Sequence, residues 1–212
     1  MIKKMLISII SIITSCQNIV YSQTEYDRES IKDIVHEIQN VLSKYNVNQD
    51  ISVNQICATM EVMRHDYGQS IDSPDRKGNR PLTDAVKKGD IISVLSLCFL
   101  GAKTEIRDLS GNTPLISASS SYGGTQIAIS LCLMGANINN KHSMKFWPPI
   151  IYAIQRRNAT LTQYFMDNNA KLDIHDEEYR AILMKLASYK NDSPNCATII
   201  NMIEEYCHEK IQ

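Results

Sequence analysis

The sequence has little of what marks most enzymes and nucleic-acid-binding proteins. Its net charge is −1 over 212 residues, so it lacks the general positive field that attracts a phosphate backbone. The five histidines are scattered, with no His-x-x-x-His pair for a metal, and neither a phosphate-binding glycine loop nor a nucleophile elbow occurs. We therefore predict no catalytic residues, no metal, no cofactor and no nucleic-acid partner.

Aromatic residues and cysteines are also sparse. Three Phe and one Trp oblige an apolar core to consist mainly of aliphatic side chains. The cysteines that follow residue 22 are an odd number, which does not suit a disulfide-built scaffold; they are Cys57, Cys98, Cys132, Cys196 and Cys207. Their thiols either remain buried, or the protein ends in a reducing compartment.

The first 22 residues have the pattern of an export signal. Lys3 and Lys4 precede an apolar run of nine residues, Met5 to Ile13, and residues 20–22 offer a cleavage site. A run of nine cannot remain as a membrane span, which needs about 20 residues. We expect an exported protein, periplasmic or secreted, without a transmembrane anchor in the mature chain.

Two alternatives for this segment stay open. Residues 13–16 resemble a bacterial lipobox, in which case residues 1–15 are a lipoprotein signal and Cys16 anchors the protein to a membrane by its lipid. The segment is otherwise an N-terminal helix that packs on the fold.

Two short motifs recur with a fixed phase. The first surrounds a Pro-Leu or Pro-Pro-Ile step at 78–85, 111–118 and 147–153, and the second ends in Gly-Ala or Asn-Ala at 97–102, 131–136 and 164–170. Counted from Gly68, Gly101 and Gly135, the step to the next Pro is 13, 13 and 14 residues, and from each Pro to the following Gly or Asn it is 20, 21 and 20. Two motifs in phase over three cycles indicate a repeat protein.

The combined pattern resembles the ankyrin repeat, with its Gly-x-Thr-Pro-Leu-x-x-Ala and Leu-Leu-x-x-Gly-Ala signatures. The resemblance implies an all-α solenoid of stacked helix-turn-helix pairs. Arg80 and Pro148 depart from it, because they replace the Thr of the motif. Other departures stand near the usual His position, namely Asp84, Ser117 and Tyr152.

Each motif has a physical role. Thr113 can cap the first helix of its repeat, and a Pro fits the first turn, where its missing N–H costs nothing. The Gly before Ala, or Asn169 in its place, can end the second helix in a left-handed conformation. Cys98 and Cys132 occupy the same repeat position; packed helices lie about 8–10 Å apart, too far for a disulfide, so we interpret both as small core residues.

Helical apolar stripes flank the three repeats and predict degenerate N- and C-terminal capping repeats. Ser30 and Asp33 suggest a capping pair for the first of these helices. The expected organisation is a signal peptide 1–22, an N-terminal helical cap or degenerate repeat 23–77, ankyrin repeats 78–110, 111–145 and 146–176, and a C-terminal helical cap 177–212.

The resemblance implies two binding surfaces, the loop tips between repeats and the face of the first helices. Candidate contacts on the tips are Arg76, Lys77, Leu109, His142, Met144, Lys145, Phe146 and Trp147. Candidates on the first-helix side are Lys87, Lys88, Tyr122, Arg156 and Arg157. The third tip has an extra residue, and its Phe146 and Trp147 either form an exposed interaction site or fold inward.

The leading hypothesis is a monomeric, non-catalytic module that binds another protein, exported by a bacterium and directed at a host or envelope protein. A resident envelope protein with a structural or protective role, lipid-anchored at Cys16, is the alternative. An enzyme is less favoured, and the sequon Asn158-Ala159-Thr160 leaves a eukaryotic secreted origin open.

Overall fold

A computed structural model describes residues 28–67, 71–76, 78–172, 177–189 and 193–211. The export signal expected in residues 1–22, including Cys16, lies outside these described residues, and so does Lys77. Every regular element in the described ranges is an α-helix. The helices are α1 Arg28–Lys44, α2 Val53–Tyr67, α3 Pro81–Lys88, α4 Ile91–Phe99, α5 Pro114–Ser120, α6 Thr125–Leu133, α7 Pro149–Gln155, α8 Ala159–Asp167, α9 Glu177–Ala187 and α10 Pro194–Ile211.

Helices α3 to α8 form three stacked hairpins. Within each hairpin the first helix packs on the second, and along the stack α3, α5 and α7 pack in one row while α4, α6 and α8 pack in another. Each first helix begins at a proline in its first turn, which confirms the predicted starts. No hairpin could bury its apolar faces alone, because the core is continuous between neighbours.

The helix ends follow the predicted chemistry. Thr113 Oγ1 accepts a hydrogen bond from the Ile116 N–H at 3.3 Å, whereas Arg80 and Pro148 provide no side-chain cap. The second helices end before residues with positive φ, at Gly101 (+88°), Gly135 (+92°) and Asn169 (+61°), as expected. Two further caps escaped the sequence analysis: Asp90 accepts from the N–H of Ser93, and Asn158 from that of Leu161, both at 3.0 Å.

The C-terminal helix pair continues the stack. Helix α9 packs on α7, and α10 packs on α8, so each lies in the row that its place in a repeat requires. Tyr179, Leu186, Cys196, Ile199 and Ile203 are buried against the third repeat. The pair therefore covers the apolar end of the array, as a terminal capping repeat must.

The N-terminal pair departs from a regular repeat. Helix α2 packs on α4, in the second row, but the main partners of α1 are α2 and α6 rather than α3. Helix α1 has 17 residues and is about 25 Å long, which matches about three helix spacings of 8–10 Å. It therefore crosses the row of second helices. The predicted cap at Ser30 is wrong, because the helix already includes Arg28.

Side chains after α1 fasten this crossing at its far end. The Tyr45 ring lies edge-on to Tyr164 of α8, with centroids 5.2 Å apart, and the Tyr45 hydroxyl donates to Asp167 Oδ2 at 2.6 Å. Gln126 of α6 donates to the carbonyl oxygen of Asn48 at 2.8 Å. Burial and the adjacent Asp167 carboxylate raise the pKa of Tyr45, so its phenol remains the hydrogen-bond donor.

Cys98 and Cys132 belong to the core, as predicted. Cys98 is buried, Cys132 is partly buried, and both thiols are free. Burial raises the pKa of the Cys98 thiol to about 12, and burial together with the Glu105 carboxylate raises the pKa of the Cys132 thiol, which disfavours the thiolate form of both. None of the helices in the described ranges combines the length and apolar character of a membrane span.

Candidate functional site

Three loops connect successive helix pairs, and each contains the same kind of closed turn. In each turn an N–H near its start donates to a carbonyl near its end. The bonds join Asp75 to Asn79 (2.8 Å), Asp108 to Asn112 (2.9 Å) and His142 to Trp147 (2.9 Å). The third turn therefore holds one residue more than the other two, which places the insertion seen in the sequence inside the loop tip.

The first residue of each turn also folds its side chain back onto the loop. Asp75 accepts from the N–H of Asn79 at 2.8 Å, and Asp108 Oδ1 accepts from the N–H of Asn112 at 3.0 Å. In the third turn His142 replaces the aspartate, and its Nδ1 accepts from the N–H groups of Met144 and Lys145, both at 3.1 Å. The side chain is buried, so the expectation that the loop presents His142 to a partner is wrong.

The residue before the end of each turn has a positive φ. Gly78 (+79°) and Gly111 (+83°) occupy this position in the first two tips, and Phe146 (+56°) occupies it in the third, where its N–H donates to the His142 carbonyl at 3.0 Å. Phe146 thus stands where the other two tips use glycine. Non-glycine residues avoid this conformation because the Cβ crowds the following carbonyl.

The glycines also let one tip pack on the next. A Cβ on Gly78 would lie 2.9 Å from a methyl carbon of Leu109, and a Cβ on Gly111 would collide with the Ser143 hydroxyl. The Ser143 N–H in addition donates to the Gly111 carbonyl at 3.3 Å. The three tips therefore form one row of contacting loops.

Phe146 and Trp147 take opposite orientations, so each sequence interpretation holds for one of them. Phe146 is 66% exposed, whereas Trp147 is partly buried with its ring 5.8 Å from that of Tyr152. The Lys145 ammonium lies 5.0 Å from the centre of the Trp147 ring. The inward Trp fills the space beneath the enlarged loop, and the outward Phe remains on its surface.

Large apolar side chains are concentrated on these tips. Leu109 is 81% exposed and Met144 is 77% exposed, and with Phe146 they make up half of the six most exposed large apolar residues in the described part of the chain. Arg76 is exposed on the first tip. Lys141 and Lys145 are exposed on the third. We call Leu109, Met144, Phe146, Arg76, Lys141 and Lys145 the tip surface.

A second set of candidates lies where the first helices turn into the second. The Arg156 guanidinium stacks on Tyr122 at 4.9 Å, and Arg157 stacks on Tyr189 at 4.1 Å. Arg157 has a φ of +56° and precedes the cap of its second helix, the place that Gly89 occupies with a φ of +73°. We call Tyr122, Arg156, Arg157 and Tyr189 the turn edge; the sequence analysis did not single out Tyr189.

The two lysines proposed on the first-helix side have partners within the fold. Lys87 Nζ lies 2.8 Å from Asp108 Oδ2, and that carboxylate is only 3% exposed. Burial alone would raise the pKa of Asp108, but Lys87 and the hydrogen bonds from Asn112 outweigh it and hold the pKa below its usual value. Lys88 pairs with Asp84 at 2.7 Å on the surface. Lys87 therefore joins a first helix to the next loop, in addition to being partly exposed.

Arg107 is a structural residue that sequence reasoning missed. Its guanidinium donates to the carbonyl oxygens of Gly111 (2.8 Å) and Lys141 (2.7 Å) and to Asn140 Oδ1 (2.8 Å). It thereby connects the second loop to the third. Among the described residues, no group of three or more His, Cys, Asp or Glu side chains is placed to hold a metal ion.

Comparison with known proteins agrees with this architecture. A family model described as "Ankyrin repeat" matches residues 110–143, which contain α5, α6 and the start of the third tip. No curated protein matches the chain. Ankyrin repeats are protein–protein interaction modules, and proteins built from them are generally scaffolds without enzyme activity. Together with the rows of packed helix pairs, the match makes this fold an ankyrin-repeat solenoid.

Proposed function

We propose that this protein binds another protein through the tip surface, with Phe146 at the centre of the contact. The proposal rests on one observation above all. Phe146 is a large aromatic residue that is both 66% exposed and held at a φ of +56°, where the two other tips have glycine.

The left-handed conformation of Phe146 destabilises the folded state, and its exposed ring gains little stability from packing in return. A left-handed non-glycine residue costs about 1–2 kcal/mol, and a side chain with two thirds of its surface in water recovers little of that by burial. Strain of this kind in a surface loop is typical of functional sites. An exposed Phe flanked by Met144 and Lys145 also has the composition of an interface hot spot.

The neighbouring loops give this contact a rigid base. Arg107 and Ser143 join the second tip to the third, and the Tyr179 hydroxyl donates to the Phe146 carbonyl at 3.2 Å. A partner therefore meets side chains whose backbone is already held in place. That arrangement lowers the conformational entropy lost on binding.

The test is capture of interacting proteins by the full chain and by two matched double variants. M144S/F146G removes the two exposed apolar side chains of the third tip, and V62S/M184S removes exposed apolar groups of α2 and α9, where the side chains are 60% and 67% exposed. We expect the first variant to lose the specifically captured protein and the second to retain it. Equal recovery by M144S/F146G and the unaltered protein would contradict the proposal.

The turn edge is the competing surface, and the same experiment includes it. Replacing Arg156 and Arg157 by glutamine removes both guanidinium groups that stack on tyrosine. If R156Q/R157Q loses the captured protein while M144S/F146G keeps it, the contact lies on the turn edge instead.

We further propose that the protein is exported and that its partner is a host or envelope protein. The support is the basic start, the nine-residue apolar run and the permissive residues 20–22. The intact mass of the protein recovered from its producing cell tests this. A chain starting at Gln23 supports signal cleavage, a diacylated Cys16 supports the lipid-anchored alternative, and an uncleaved chain overturns both.

A further inference from the structure

We infer that the partner segment that binds the tip surface is acidic as well as apolar. This inference rests on the proposed function and concerns the chemistry of the partner at that site. It comes from the way the loops divide their charges: the acidic side chains are engaged within the loops, whereas the basic ones point outward.

The carboxylates at the turns are engaged in hydrogen bonds. Asp75 accepts from the backbone and the side-chain amide of Asn79, at 2.8 and 3.3 Å. Asp108 accepts backbone N–H groups at 3.0 Å with one oxygen, while Lys87 lies 2.8 Å from the other. The Asp108 carboxylate is therefore paired with a cation inside the fold, and the Asp75 carboxylate is held on its own loop by Asn79.

The carboxylates in the stems of the loops are engaged in the same way. Asp72 accepts the N–H of Lys103 at 3.0 Å, and Glu105 accepts the N–H of Asn137 at 2.7 Å and the side-chain amide of Asn140. Each of these bonds joins one loop to the next. Asp72 and Glu105 thus serve the connections between repeats.

Five basic residues of the same loops, unlike Arg107, have the opposite arrangement. Arg76, Lys141 and Lys145 are exposed on the tips, and Lys103 and Lys171 are exposed on the stems. None of these five lies within 4.0 Å of a carboxylate among the residues that the structure describes; the ion pairs found there involve other cations. Exposed cations without a carboxylate partner therefore lie on the same tips as Leu109, Met144 and Phe146.

Positive charges around an apolar centre favour a partner segment that is apolar and carries negative charges. Exposed ion pairs contribute modestly to affinity, but they steer association and disfavour partners of like charge. A segment with Asp or Glu between bulky apolar residues would place its apolar groups on Phe146 and Met144 and its carboxylates near Lys141 and Lys145. A basic segment with the same apolar residues would meet repulsion at each of these lysines.

The experiment measures fluorescence anisotropy with the full chain and three labelled peptides of equal length. All three carry the same Leu and Phe residues, separated by Glu, by Gln or by Lys. At 50 mM salt we expect the Glu peptide to bind roughly tenfold more tightly than the Gln peptide and the Lys peptide to bind more weakly than both. Raising the salt to 300 mM should remove most of this preference, because exposed charges are then screened.

Two variants with the same change in net charge locate the effect. K141E/K145E should abolish or reverse the preference for the Glu peptide. K32E/R64E changes exposed residues of α1 and α2 that are not part of the tip surface, and should leave the preference within about twofold of the unaltered protein. If both double variants reduce binding equally, net charge rather than the tip surface is responsible, and the inference is overturned.

The remaining outcomes separate this inference from the proposed function. If the Glu peptide binds no more tightly than the Gln peptide, including the case in which neither binds, the acidic character of the partner is refuted. Protein capture that depends on Phe146 would then still support the tip surface itself. If F146G binds all three peptides as the unaltered protein does and also retains its captured protein, the proposed surface fails as well.

Discussion

Replacing Phe146 by glycine and, in a separate variant, by alanine measures the strain at the third tip. Both changes remove the same aromatic ring, so the loss of its partly buried surface is common to the two variants. They differ in the Cβ atom, which alanine keeps at a φ of +56° and glycine lacks. The difference in their free energies of unfolding therefore isolates the backbone term.

The expected magnitude follows from two opposing contributions. A Cβ in the left-handed region costs the folded state about 1–2 kcal/mol. Glycine has the greater conformational freedom in the unfolded chain, which favours alanine by about 0.4–1 kcal/mol. We therefore expect F146G to be more stable than F146A by about 1 kcal/mol, or about 2–4 °C in Tm for a chain of this size.

The assay is urea unfolding followed by far-ultraviolet circular dichroism, with Glu61 as the control site. Glu61 is exposed within α2, where alanine should be more stable than glycine by about 1 kcal/mol. The order of the two residues is thus opposite at the two positions. If alanine is as stable as glycine at position 146, the strain assigned to Phe146 does not exist, and the observation that carries the proposed function is lost.

Three further predictions concern the loops. H142A should lower the free energy of unfolding by about 1–3 kcal/mol in the same assay, because two N–H groups lose their acceptor, and H142D should restore part of it since aspartate holds this place in the other turns. The paired Asp108 carboxylate stabilises the folded protein above its unfolded pKa, near 3.8, and this stabilisation is lost as the pH falls through its lower folded pKa. In a series of urea titrations at different pH values, D108N should not show this loss of stability. G111A should destabilise by more than about 1–2 kcal/mol, because strain at a φ of +83° adds to the collision with Ser143, and an S143A/G111A double variant that recovers nothing would show that the collision plays no part.

The regular part of the fold could be predicted because its determinants are local. A proline in the first turn and a Gly or Asn at the end of the second helix each fix one boundary, and the steps between them fix the repeat. The position of α1 could not be predicted in this way. Its apolar stripe shows that one face is buried, but any apolar surface of the stack would satisfy that pattern. The docking depends on contacts such as that of Tyr45 with Tyr164, which join residues far apart in the sequence.

The third tip shows a different limit of sequence reasoning. In the sequence His142 looks like an exposed loop histidine. In the folded turn its Nδ1 accepts backbone N–H groups, as the carboxylates of Asp75 and Asp108 do in the other two turns. For Phe146 a signal was present, because it precedes the residue that closes its turn, as Gly78 does in the first. The extra residue in the loop hid this equivalence.

Both positions at which a larger residue replaces a left-handed glycine belong to the third repeat, and the C-terminal helix pair contacts both. Phe146 and Arg157 occupy places held by glycine in the other repeats. The hydroxyl of Tyr179, in α9, donates to the carbonyl of Phe146, and the ring of Tyr189, just after α9, stacks under the guanidinium of Arg157. Each contact offsets part of the strain, since a hydrogen bond contributes about 0.5–1.5 kcal/mol and an exposed cation–π contact about 0.5–1 kcal/mol. The C-terminal pair therefore does more than cover the apolar end of the stack. It stabilises the backbone of the third repeat at Phe146 and Arg157, so a change that loosens α9 should weaken binding at the tip surface without altering any residue on it.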